Sequence, residues 1–478
     1  MSATVYPAPK TSSAPPLSQK PGAEASCPAG IFVLLAGGAL WLVIATLLAL
    51  LDSLKFHNTN LLAGQSWLTY GSVQAASSAA FLYGFGVPAA LGLGLWFLCR
   101  LGRCALAGPV CVFVGAVFWH CAVAIGIGAI LCGRSTGFAS FEIPLWCARL
   151  MFAAYLMIGI CALITFHKRE VERLYPTQWF VVGALFWFPW IFSTAALVLL
   201  AAPERGVLQP VAAWWYAHNF DNVFLSFAGL AATFYFIPKI IGRPLYSHYQ
   251  AVLAFWTIAL FGSCGGIPFG APVPSWITSL SLAGTILTAL PIAAVAGNFY
   301  ETARMDFGAL DAEPALRFIC VGLLFWIIAG AQQIAGALPN VSAITDFTLF
   351  GAAQKELFHY GFFALTVFGA LYSILPGLLG LDGSAWSPKL LKLHFYFSFL
   401  GALISYAALL VAGLEQGILL AEGRNSFDDV MGRTLFPLRM STLGDLLVAG
   451  GAVLFLLNFV GVLDKARRQC CARLKEAA

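Results

Sequence analysis

Charge is what this sequence has least of. Asp, Glu, Lys and Arg make up 10% of its 478 residues, against about a quarter in ordinary soluble domains. So few ionisable side chains cannot cover a water-facing surface. With 60% hydrophobic residues and a mean hydropathy of +0.85, lipid must be the solvent for much of the chain. Histidine is scarce as well. There are seven, at positions 57, 120, 167, 218, 248, 359 and 394, which limits any metal site the chain can build. The twelve cysteines include no Cys-x-x-Cys pair and no zinc spacing. Most lie inside apolar runs as small buried hydrophobes. Cys132 and Cys147 flank one predicted outer loop and are placed to pair. The net charge of +5 is spread over short loops, which reads as a topology signal and not as a nucleic-acid surface.

What the sequence does have is long apolar runs. A helix that crosses a bilayer needs about 20 mostly apolar residues, and such runs recur along the whole chain. The expected fold class is an all-α membrane protein of about twelve transmembrane helices. The predicted spans are 30–52, 74–98, 106–132, 145–166, 178–202, 211–238, 249–270, 275–299, 315–337, 352–379, 390–420 and 437–463. Residues 1–29, rich in Pro, Ser, Ala and Lys, read as a disordered cytoplasmic tail. The apolar run after it is too long and too late for a cleavable signal. Residues 30–465 form one membrane domain, and 466–478 a basic cytoplasmic tail. An orientation with both termini inside places 18 of the 26 Lys and Arg residues on the inner side, as the positive-inside rule requires. Lys10, Lys20 and Arg304 are among those 18.

Local motifs go further. Trp214-Trp215-Tyr216-Ala217-His218-Asn219 is followed by Phe236-Ile237-Pro238-Lys239 and then Gly242-Arg243-Pro244-Leu245-Tyr246-Ser247. Leu68-Thr69-Tyr70-Gly71 precedes the second span. Phe368-Gly369-Ala370-Leu371-Tyr372 and Pro376 lie in the tenth, and Val411-Ala412-Gly413-Leu414-Glu415-Gln416-Gly417 ends the eleventh. Together these pieces resemble subunit I of the cbb-type (C-family) heme-copper cytochrome c oxidases, from about residue 30 to 465. The resemblance implies an oxygen-reducing, proton-pumping enzyme fed by cytochrome c. It implies a haem b, a high-spin haem and a copper ion. It also implies histidine ligands: one in the second helix, one in the sixth, an adjacent pair in the seventh and a His-x-His in the tenth. Residues two apart on a helix point about 200° from each other, so a His-x-His can serve two haems on opposite sides of one helix.

Residue by residue, most of those ligands are missing. His218 alone matches a family ligand, one of the three to copper. The adjacent pair in the seventh helix falls on Gly266 and Ile267. The His-x-His falls on Gln354-Lys355-Glu356, so the haem-ligand positions there are Gln354 and Glu356. The second-helix haem ligand falls on Ser77, and an arginine near the haem propionates falls on Thr442. Glycine and isoleucine offer copper no side-chain donor, and serine and glutamine are poor haem ligands. No cofactor is therefore expected, and oxygen reduction by this chain is predicted absent.

Three readings follow from the sequence. The first is a divergent, non-catalytic paralogue, a structural or regulatory membrane subunit working beside a cytochrome c or other respiratory-chain subunits in a bacterial inner membrane. Phe269, Phe347, Phe350 and Phe358 lie near the lost ligand positions and could fill the space that cofactors would take. The second is a proton, ion or small-molecule path through that space, motivated by Lys355 and Glu356. Charges inside hydrocarbon cost about 2.5–3.5 kcal/mol on insertion scales and usually face a bundle interior or water. The third is a working terminal oxidase with a different ligand arrangement.

Overall fold

The computed structural model describes residues 28–303 and 313–477. The predicted tail up to residue 27, with Lys10 and Lys20, and Arg304 lie outside the described residues. Every described span is helical. In chain order the helices are α1 (Pro28–Leu54), α2 (Tyr70–Gly102), α3 (Pro109–Leu131), α4 (Leu145–His167), α5 (Pro176–Ala201) and α6 (Leu208–Ile241). They continue as α7 (His248–Phe261), α8 (Ser275–Ala303), α9 (Pro314–Ala337), α10 (Leu349–Leu378), α11 (Pro388–Ala421) and α12 (Phe427–Ala477).

Eleven of the helices are long and apolar enough to cross a membrane, among the described residues. The expected seventh crossing is the exception. Helix α7 has 14 residues, a rise of about 21 Å, short of the roughly 30 Å hydrocarbon core. Its continuation, read from the sequence as helix to residue 270, passes through a single tight turn at Gly262–Cys264 into irregular backbone. The cause is local composition. Gly265 and Gly266 adjoin, Gly266 has φ +97, and Pro268, Pro272 and Pro274 cannot donate to a helix. Helix α12 differs the other way. It is continuous through Arg467 and Arg468, where the sequence suggested a separate tail from 466.

Three helices form the centre. The most apolar windows of α2, α6 and α10 are 94%, 83% and 83% buried, against 28–50% for the rest. Small residues bring them into close contact with their neighbours. A Cβ on Gly84 of α2 would stand 2.7 Å from Trp41, and one on Gly229 of α6 would stand 2.4 Å from Phe362 of α10. Each central helix also contains a π-helical turn, at Ala80–Gly86, Phe220–Leu225 and Leu357–Ala364. These turns begin three, two and one residues after Ser77, His218 and Glu356. Short π segments of this kind concentrate at functional positions.

The loop between α3 and α4 folds back into the bundle. Phe141 and Ile143 are fully buried, and Ser140 takes a left-handed φ of 64. The Phe141 ring lies 4.9 Å from that of Tyr216. Cys132 and Cys147 are both free. Cys147 is buried against Gly126 while Cys132 is exposed at the end of α3, so the pairing that their places in the sequence allowed is not made.

Candidate functional site: the chamber around His218

The motif that carries His218 is a hydrogen-bonded knot. Asn219 accepts from Trp187 Nε1 at 3.1 Å and donates to the carbonyls of Trp215 and Ser263. The Tyr216 and Tyr83 hydroxyls lie 2.7 Å apart, and Tyr83 donates to the Ser140 carbonyl at 2.7 Å. These bonds fix α6 against α2, α5 and the inturned loop. They also set the direction of the imidazole.

His218 has partners at both ring nitrogens. Nε2 donates to the Gly262 carbonyl at 2.8 Å. Nδ1 faces the amide nitrogens of Asn222 at 3.3 Å and Gln333 at 3.4 Å. The network thus assigns a neutral imidazole with its proton on Nε2. The two glycines of the unwound segment pack directly on it. A Cβ on Gly266 would meet His218 Cβ at 2.4 Å, and one on Gly265 would meet Nε2 at 2.5 Å. Ile267 turns to α8, where its N–H and C=O both bond the Ser281 hydroxyl at 3.0 Å.

The other positions lie elsewhere. Ser77 donates to the Ala45 carbonyl at 2.9 Å and bonds Tyr360. Glu356 lies on the side of Asp445. Asp445 accepts from Ser405 Oγ at 2.9 Å. Thr442 Oγ1 contacts His57 at 3.1 Å and donates to the Ser53 carbonyl. Asp52, which also feels Asp445, keeps one buried oxygen without a partner. Gln354 and Lys355 point the other way, into a cavity of about 310 Å³ shared with His218. Adjacent residues on a helix diverge by about 100°, so Lys355 and Glu356 face different spaces and do not line one path.

The cavity lies among α6, α8, α9 and α10, with the segments 266–269 and 342–347 at its rim. Residues 214, 217, 218, 221 and 222 of α6, and 347, 350, 351, 354, 355 and 358 around the start of α10, face it at helical spacing. The four phenylalanines expected as plugs line its wall instead. Phe358 is buried, while Phe269 and Phe347 are 45% and 77% exposed at the rim. The chain puts its bulk around this space and keeps the middle open. Asp221 in the wall bonds His359 at 2.8 Å, and His359 stacks on Phe81 with centroids 4.6 Å apart. Asp346 at the rim accepts from Ser342 at 2.5 Å, and burial pushes its carboxyl up. Asp221, Asn222 and Gln333 were not singled out from the sequence. The α6 spacing from His218 is the signal that points to the first two.

The remaining histidines do not converge on His218. His120 bonds the Val33 carbonyl, His394 bonds Tyr372, and His57 and His359 have the partners above. Among the described residues no group of three or more His, Cys, Asp or Glu is placed to hold a metal ion. The residues present do not fit a copper ion or a haem. The His218 imidazole has both nitrogens engaged, and glycine packing leaves no room beside it for a second.

A sequence profile described as cytochrome c and quinol oxidase polypeptide I matches residues 30–447. The chain belongs to that family. Among curated relatives, cytochrome c oxidase subunit 1 of Rhodobacter capsulatus is 24% identical over 416 residues, covering 82% of this chain and 76% of its own. The subunit 1 homolog of Azorhizobium caulinodans is 23% identical over 397 residues, with 80% and 70% covered. A cbb3-type cytochrome c oxidase subunit of Stutzerimonas stutzeri is 24% identical over 372 residues, with 74% and 76% covered. A solved heme-copper terminal oxidase dimer aligns with TM-score 0.65 at 16% identity, covering 91% of this chain and 84% of that one. The fold is therefore that of a heme-copper oxidase subunit I, in an integral membrane protein whose relatives are bacterial.

Proposed function

We propose that this chain is a non-catalytic member of the cbb-type branch, acting as a structural or regulatory subunit beside a cytochrome c or another respiratory subunit. The observation that carries this reading is the bond from His218 Nε2 to the Gly262 carbonyl, with Gly265 and Gly266 packed on the ring. An imidazole held this way works as a hydrogen-bonding strut. The assignment to the cbb-type branch rests on the motifs around His218 and in α10 and α11, and on the relatives named above. The charge distribution supports a bacterial inner-membrane location with both termini cytoplasmic.

The experiment is a reduced-minus-oxidised absorption spectrum of the purified chain, with iron and copper measured by mass spectrometry. A featureless spectrum and substoichiometric metal are expected. Haem b bands with one iron or more per chain would overturn the reading. Co-purification from the native membrane then identifies the partner.

A further inference from the structure

Helix α7 leaves a gap that the rest of the bundle does not fill. At about 21 Å it is about 9 Å short of the hydrocarbon core. Beyond its last turn lies an open, mainly apolar crevice of about 610 Å³, walled by Leu208 and Val211 of α6 and by Ile277 and Leu280 of α8. Ser263, Cys264 and Ile267 of the unwound segment complete the wall. Irregular backbone at membrane depth must be buried in protein or face water, but here it asks nothing of the crevice. The Gly262 and Ser263 carbonyls accept from His218 and Asn219 of α6, and Ile267 bonds Ser281 of α8. The Ser263 hydroxyl and the Cys264 thiol both fold back onto the Leu260 carbonyl at 3.2 Å. The mouth opens on lipid, since Leu208, Leu260 and Leu280 around it are 56%, 59% and 49% exposed.

Among the described residues, the one charged side chain in this lining is Glu204. Its backbone N–H bonds the Val198 carbonyl at 3.0 Å, which holds it at the end of α5. Arg205 follows it in the same exposed loop. That loop joins α5 to α6 where both leave the hydrocarbon, at the level of lipid headgroups. A carboxylate and a guanidinium there complement the ammonium and phosphate of a zwitterionic headgroup. We propose that the crevice holds an acyl chain of a bilayer phospholipid bearing a primary ammonium. The ammonium donates to Glu204, and the chain lies against Leu208, Val211, Ile277 and Leu280. Water in the crevice would find no polar wall to bond. An α-helix about 10 Å across takes about 400 Å³ per turn, so a partner's span finds room here for little more than one turn.

The test uses the purified, delipidated full chain in detergent, titrated with phosphatidylethanolamine or with phosphatidylglycerol, which lacks the ammonium. Native mass spectrometry counts the bound lipid. Labelling of Cys264 by N-ethylmaleimide, followed peptide by peptide, locates it. Saturable binding of phosphatidylethanolamine is expected. At about ten times its Kd the lipid should slow Cys264 labelling about tenfold, with the exposed Cys132 unaffected. Glu204→Gln removes an exposed charge contact, so it should weaken phosphatidylethanolamine binding about two- to fivefold and bring it level with phosphatidylglycerol. Ala212→Phe places a ring in the crevice and should abolish both saturation and protection in a chain that still melts cooperatively. The proposal is overturned by the absence of saturable lipid, by bound lipid that leaves Cys264 labelling unchanged, or by equal binding of the two lipids to the wild-type chain. Protection of Cys264 only by a co-purifying polypeptide would give the crevice to a partner's helix and overturn it as well.

Discussion

Two regions of the bundle stand where the family's cofactors are expected, and they have been treated in opposite ways. Around His218 the space is open, walled by aromatic rings and amides, and a lysine looks into it. Around Ser77 and Glu356 the space is knitted together by serine, tyrosine and carboxylate side chains from α1, α2, α10, α11 and α12. The difference teaches that losing a ligand does not decide what becomes of its surroundings. Neighbouring backbone does. In the second region Gly401 and Gly444 let α11 and α12 touch, and a Cβ on Gly444 would stand 2.5 Å from Ser405 N. In the first, the unwound segment after α7 packs its glycines on His218 and its residues 266–269 line the open space.

The contrast can be broken most severely at Gly266. Gly266→His would restore a ligand residue type at the expected position. However, its Cβ would overlap His218 and its backbone has φ +97. Overpacking and left-handed strain together should cost about 3–5 kcal/mol, seen as a large drop in melting temperature or as failure to express. A stable Gly266→His chain that takes up copper would mean the open region is a working site in disguise.

The inturned loop joins the two regions, and its stability should depend on pH. Burial raises the Glu142 carboxyl from 4.5 to about 7, against the lowering effect of the hydrogen bonds from Ser140 N–H and Ser78 and of the Lys355 charge. The fold thus favours the protonated form. Its contribution is complete below about pH 4.5 and is lost as pH rises through 7, by up to about 3 kcal/mol. Melting temperature should fall between pH 5 and 8. Glu142→Gln should flatten that slope, and a variant with an unchanged slope would show that the loop does not couple the regions.

The smallest effect sharpens the comparison. Gly444→Ala presses a methyl on the backbone of Ser405 and Gly401 and should cost about 1–3 kcal/mol. Gln354→Ala in the open wall should stay within about 0.5 kcal/mol of wild type. Equal costs, compared by detergent melting curves, would mean that both regions are packed alike.

Most of the fold is legible in the sequence, because apolar runs of span length need no tertiary information. Helix α7 is not, since 249–270 is apolar throughout and only the Gly265-Gly266 and Pro268 sequence hints at its early end. The position of His218 and the absence of histidine from residues 249–270 are also legible from residue identity alone. Which way Lys355 and Glu356 face is not. That depends on the exact phase of α10, and a π-helical turn begins one residue later. The expected Phe plug fails for a related reason: Phe269 and Phe347 are close to the site in sequence but sit on loops whose backbone sends them to the rim.

The π-helical turns have one more consequence. Each adds about one residue to a helix whose far half carries a motif packed in the core, such as Phe236-Ile237-Pro238 or Phe368-Gly369. Removing that residue would swing the far half by about 100° and send its buried face into lipid. Side chains beside these turns, such as those of Ser77, His218 and Glu356, can therefore change while the residue count through these stretches cannot.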